Sequence, residues 1–222
     1  VDRPAAALDN ARWCDAVCRS HGIATRWDGD AWSCTVRTPP FYPDAVTLVP
    51  AADALSLLAR IDDGPGASVK DSFADLDLAP HGYEVLFEAT WIGRDPGHPV
   101  TTWSRVDGPA ALARWAHGWD RHRDGTTPFR AALLAESAVT LVGTADGTAG
   151  CALLTGPDAV GLSNLFAPAG GEVAALGEAV GAAAMFAPGR PVVGYEAEEA
   201  LTRAVTNGFA PLGPLRVWLR PG

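Results

Sequence analysis

Lysine is almost missing from this chain: of 17 basic residues only Lys70 is a lysine, and the rest are arginine. Methionine occurs once. Positive charge is short overall, with 26 acids against 17 bases and a net charge of −9. A nucleic-acid partner needs a basic face for its phosphates, and none is evident, so that class is excluded. No apolar run approaches the roughly 18 residues that a membrane helix needs. The first seven residues show no basic stretch followed by an apolar core, so no secretory leader is visible and a cytoplasmic location is expected. Cysteine is limited to four residues, too few for a disulfide framework in a chain this long. Cys14, Cys18, His21 and Cys34 can be arranged on paper as a zinc site, but they straddle a helix end at Gly22. Small buried thiols are the expectation, and no metal is assigned.

What is present is an ordinary globular balance, 48% apolar and 19% charged over 222 residues, enough for a proper core. The excess of arginine over lysine, with abundant Ala, Gly and Pro, points to a GC-rich coding sequence and a bacterial source. Residues 1–100 carry 15 acids and 8 bases, whereas residues 101–222 carry 11 and 9. The acidic first half suits solubility, or attraction of a cationic acceptor.

The chain also says nearly the same thing twice. Asp44-Ala-Val-Thr-Leu48 returns as Asp158-Ala-Val-Gly-Leu162. Gly82-Tyr-Glu-Val-Leu86, followed by Trp91, returns as Gly208-Phe-Ala-Pro-Leu212, followed by Trp218. The offset is 114 residues at the first pair and 126 at the second, far above a solenoid period. Two copies of one α/β unit are implied, each expected to have its own core, at residues 1–100 and 101–222. Gly, Pro and charge at 93–100 mark the linker.

Periodicity and turn signals place a helix over 5–21, strands at 24–27, 31–36 and 45–49, and a helix over 51–61. A strand at 68–73, a short helix at 76–81 and a strand at 85–92 finish the first copy. The second copy reads as a strand at 101–106, a helix from Pro109 to about residue 121, and a short helix from 127 to 135. Strands at 139–143, 149–155 and 159–166 follow, then a helix at 172–186, a strand at 192–195, a helix at 198–206 and a strand at 215–219.

This β-α-α-β-β-β-α-β-α-β order resembles the GNAT N-acetyltransferase superfamily. The tail Val192-Val-Gly-Tyr-Glu196, with Ala200 and Asn207-Gly-Phe209, is similar to that family's last third. The resemblance implies two mixed-sheet α/β domains in tandem with helices on the sheets, a truncated copy and then a complete one. It also implies an acyl-CoA-dependent N-acyltransferase, using acetyl-CoA and passing the acyl group directly to a small-molecule or peptide amine. The donor would pair with Leu165, Phe166 and Ala167 and lay its pyrophosphate at Gly170 and Gly171, where open N–H groups and a helix dipole favour an anion. Glu172 departs from that pattern by adding negative charge there. The matching first-copy segment, residues 49–53, holds no glycine.

The family's usual acid, a Tyr on the last helix, is Ala204 here. Substitutes must come from strand ends: Glu196 as base, Tyr195 as proton donor, and Ser163 or Asn164 facing the ligand. The alternatives are that Glu196 caps a helix, Tyr195 is core, and Ser163 and Asn164 belong to a strand bulge. Lys70 beside Asp71 reads as a surface ion pair. Arg114, Arg121, His122, Arg123 and Arg130 read as a solvated helix face or as contacts for an acidic acceptor group. His81 and His117 read as structural, and the tryptophans mainly as packing. A catalytically inactive GNAT-like binding or scaffold protein is the competing function. The assembly is a monomer or a homodimer.

Overall fold

The computed structural model describes residues 1–120 and 127–222. It opens with α1 (Arg3–Ser20), whose N-terminus is capped by the Asp2 carboxylate on the Ala5 N–H, 3.1 Å away, with Pro4 in the first turn. Strands β1 (Thr25–Trp27), β2 (Ala31–Cys34) and β3 (Ala45–Thr47) follow, then α2 (Ala54–Leu58), β4 (Ser68–Asp71) and the long β5 (Glu84–Arg94). The second half comprises β6 (Ser104–Arg105), α3 (Pro109–Trp119), β7 (Val139–Gly143), β8 (Gly150–Thr155), β9 (Val160–Phe166), α4 (Glu172–Phe186), β10 (Val192–Glu196), α5 (Glu198–Thr206) and β11 (Ala210–Leu219). The helices expected at 76–81 and 127–135 are only 3-10 turns, Ala79–His81 and Ala131–Ala135. Each is too short for the i→i−4 ladder to propagate. Among the described residues no helix is long and apolar enough to cross a membrane.

All eleven strands join one sheet in the order β1-β2-β3-β4-β11-β5-β10-β9-β8-β7-β6. That corrects the expectation of two separate sheets. The order is nearly a palindrome: β1 to β5 in the first half of the chain mirror β7 to β11 in the second half. Each copy has one parallel pair, β3 with β4 and β9 with β10. The last strands are exchanged. β11 of the second copy pairs with β4, and β5 of the first copy pairs with β10. The two exchanged strands then pair with each other along most of their length.

The recurring tryptophans follow the exchange. Trp218 of the second copy packs with Leu57, Leu78 and Tyr83 in the first copy's core. Trp91 of the first copy packs with Ala159 and Val193 of the second. Its indole N–H donates to the Ser72 carbonyl at 2.8 Å. Helix α1 spans both copies as well, because Trp13 and Val17 share a core with Leu133, Leu141 and Leu154.

In α3, Gly118 lies against the β7–β8 hairpin. A Cβ there would collide with the Gly147 carbonyl oxygen and crowd the Phe166 ring. Backbone cannot yield as a flexible side chain does, so Gly118→Ala is expected to destabilise the fold by about 2–3 kcal/mol. A denaturant midpoint within error of wild type would refute this.

Candidate active site

The parallel pair β9/β10 has only two rungs, Val160 with Val192 and Gly161 with Val193. Beyond them the strands part. A bulge helps to turn β9 away: the β8–β9 register shifts between Gly150 and Ala152, and Asn164 has φ 55°. Asn164 therefore serves the bulge, one of the two roles open to it from sequence. Side chains alternate across the sheet, so the gap is lined differently on its two faces.

On the face covered by α4 and α5, Leu165, Phe166, Ala167, Glu172, Glu196 and Arg203 line a cleft of about 120 Å³. Three of the expected donor contacts, Leu165, Phe166 and Ala167, thus meet Glu196 in one place. Burial raises the Glu196 pKa, with Arg203 pulling the other way. Gly170 and Gly171 form the turn into α4, Gly170 at φ 82° and Gly171 as the helix cap. The backbone N–H groups at Glu172 and Gly170 hold the Glu172 carboxyl below the usual carboxylate range. The chain's own acid thus stands at the turn into α4. Open N–H groups at the α4 N-terminus suit a pyrophosphate, and the Glu172 charge opposes one.

Tyr195 and Ser163 lie on the opposite face, under α1, so the three candidate catalytic groups are split by the sheet. Tyr195 stacks edge-on to Trp91, with ring centroids 5.5 Å apart. Ser163 shares a narrow crevice with Asp9, Asn10, Gly161 and Gly194. Ala204, at the position of the missing Tyr, is fully buried.

The α1 face also holds polar groups that the sequence pattern does not single out. Asp9 and Asn10 lie on the buried side of α1. Among the described residues, Asp9 Oδ2 has no hydrogen-bond partner. Burial pushes its pKa up to about 7, against the attraction of Arg12 and Arg190, and Asp158 adds to the rise. A carboxyl that titrates near neutrality beside parting strands suits proton transfer.

Lys70 is no surface ion pair. It is 4% exposed, and its ammonium donates to Asn10 Oδ1 at 2.8 Å and lies 4.2 Å from the Tyr195 ring centroid. Alternation along β4 sends Asp71 to the other face, where it accepts the N–H groups of Phe73 and Leu76. The available signal was a lone lysine inside a short buried strand, together with two polar residues between Ala6-Ala7 and Trp13-Cys14 on α1.

The first copy's strands do not open in the same way. Past the Val46/Lys70 rung, the Thr47 hydroxyl accepts the Ser72 N–H at 2.8 Å and bridges the gap. Cys14, Cys18 and Cys34 are buried, and the described residues contain no group of three or more potential ligands that could hold a metal ion. His21 Nε2 sits 2.6 Å from the Pro128 carbonyl. Trp115 stacks edge-on to Phe129 and Phe166, and Trp119 to Phe129 and Phe41, so both serve packing. Arg114 and Arg130 are exposed. Arg121, His122 and Arg123 lie outside the described residues.

No known family profile matches the chain, and no curated protein does. In structure it is similar to a GCN5-related N-acetyltransferase from Kribbella flavida, with a TM-score of 0.61 and 15% identity, covering 98% of this chain and 96% of that one. It is also similar to a putative acetyltransferase of the GNAT family from Novosphingobium aromaticivorans, with a TM-score of 0.59 and 14% identity over 96% and 97% of the two chains. A functionally unknown conserved protein from Staphylococcus epidermidis matches at 0.51 and 9% identity over 70% and 72%. The first two likenesses extend over nearly the whole of this chain. At these identities the fold is what is shared, and this chain has the GNAT fold, a mixed α/β architecture built on one large mixed sheet.

Proposed function

We propose that the protein is an acyl-CoA-dependent N-acyltransferase that passes its acyl group directly to an amine. The observation that carries this reading is the two-rung β9/β10 pair, which opens beyond Gly161 and Val193. Acetyl-CoA would supply the activated acyl group. Transfer forms one C–N bond and breaks one C–S bond, while the amine loses a proton and the departing sulfur gains one. Backbone at Leu165–Ala167 would hold the donor on the α4 face, and the amine would approach from the α1 face. Glu196, at the end of β10, is placed to take the amine proton through water, and its raised pKa suits a base. Tyr195, beside Glu196 on β10, would give a proton to the departing sulfur across the gap. The burial of Cys151 in β8 among Val142, Val160 and Leu162 supports direct transfer, since a buried thiol is poorly placed to carry an acyl group.

Melting with and without acetyl-CoA tests the donor site. A ligand at 100 times its Kd adds about 2.7 kcal/mol to the folded state. Glu172→Ala removes a negative charge from the turn where the pyrophosphate would sit. It should tighten acetyl-CoA by about tenfold, an effect that shrinks with added salt. No stabilisation of either protein by millimolar acetyl-CoA would defeat the proposal and favour the non-catalytic reading.

A further inference from the structure

A pocket of about 380 Å³ opens on the α1 face beside the gap, within the roughly 300–1,000 Å³ range of small-molecule sites. Its walls are mostly apolar, with Phe41, Tyr42, Leu86, Phe87 and Leu219 among them, and Lys70 lines it as well. In a protein of net charge −9, no acid among the described residues lines this pocket. Its second cation, Arg37, is already paired with Asp44 at 2.6 Å.

Lys70 differs. An ammonium has three donors, and the contacts present are one hydrogen bond, to Asn10, and the faces of Tyr195 and Trp91. No carboxylate of the described residues lies within ion-pair distance of it. A buried cation without a counter-ion is costly, and an incoming anion relieves that cost while gaining charge-assisted hydrogen bonds.

The pocket is also built to stay open. Buried Asp44 ties its rim to β4 by accepting the N–H groups of Thr38 and Ser68, both at 2.9 Å. Three prolines, Pro39, Pro40 and Pro43, stiffen the same loop, with Phe41 held at φ 75°. The pocket reaches the gap at both of its strands. Tyr195 belongs to β10, and the Tyr42 hydroxyl lies 3.4 Å from Asn164 at the β9 bulge.

We propose that this pocket binds a small molecule bearing a carboxylate beside an apolar group, with the carboxylate on Lys70, and that this molecule is the acyl acceptor. The binding part stands on the pocket alone. The acceptor part rests on the acyltransferase reading, in which the amine of the same molecule reaches the gap at Tyr195 and exchanges a proton for the acyl group.

The test is isothermal titration in the absence of acetyl-CoA, using 3-phenylpropionate and hexanoate, each against its uncharged amide. Wild type should bind at least one carboxylate about tenfold more tightly than its amide. Lys70→Met should abolish that preference and melt no lower than wild type, since it removes an uncompensated buried charge. Asn10→Asp retains the lysine but supplies an internal carboxylate, so it too should abolish the preference. Equal binding of acids and amides, or a preference that survives both substitutions, overturns the proposal. Acetyl-CoA binding is scored separately, so the donor reading can fail while the carboxylate site stands, and the reverse.

Discussion

Produced separately, residues 1–100 and residues 101–222 should each fail to fold, and mixing them should restore a cooperative, native-like species. The exchanged strands are the reason. Without β11 the first fragment leaves β4 unpaired on one side, opens the long β5 edge and removes Trp218 from the core that holds Leu57 and Tyr83. Without β5 and α1 the second fragment leaves β10 unpaired beyond its two rungs with β9, and it loses Trp91, Ala6 and Ala7 from the cluster around Val193. Losing one buried tryptophan costs about 3–5 kcal/mol, and a whole strand with its hydrogen bonds costs more than the roughly 5–15 kcal/mol that most domains possess. Circular dichroism and amide NMR of each fragment, then of the equimolar mixture, would decide the matter. A sharp melt from either fragment alone would mean that the copies are independent domains and that the exchange is dispensable.

The order of elements was legible because hydrophobic runs and Gly-Pro punctuation are local signals. Helix α4 and helix α5 lie where periodicity, Glu172 and Asn207-Gly208 put them. The exchange was not legible. A last strand with the pattern around Trp91 or Trp218 is satisfied equally well beside either copy's parallel pair, so the repeat reveals kinship and not partnership. The polar floor under α1 was hidden for a different reason. Asp9, Asn10 and Asp15 look like the solvent side of an amphipathic helix, yet this helix is buried almost all round, while Leu8 is partly exposed. Lys70 and Asp71 look like a pair because they are adjacent, but in a strand adjacency means opposite faces. The donor cleft was the more readable half of the site, since Leu165 to Ala167 and Glu196 come from strand ends that the resemblance already aligned.

Asp9→Asn should make the protein more stable than wild type at pH 8, and about equally stable at pH 4. Asp9 lies 3% exposed over Gly156 and Gly161, with one carboxylate oxygen unpartnered. Its pKa rises from 3.8 to about 7, chiefly through burial. The folded state therefore holds a proton that the unfolded chain has already released. The stability from that proton is fully present below pH 4 and is lost as pH rises through 7. Three units correspond to about 4 kcal/mol, an upper figure because the interior relaxes around the charge. An amide cannot ionise, so the variant escapes the loss, and at pH 4 it resembles the protonated acid in shape and hydrogen-bonding capacity. Asp71 and Glu196, whose pKa values burial also raises, remain in both proteins and cancel in the difference. Urea unfolding of both proteins from pH 4 to 8 gives the result directly: the two stability curves should diverge across that window. Parallel curves would show that Asp9 is ionised in the folded state throughout, compensated by Arg12 and Arg190, and would remove it as a proton-transfer group beside the gap.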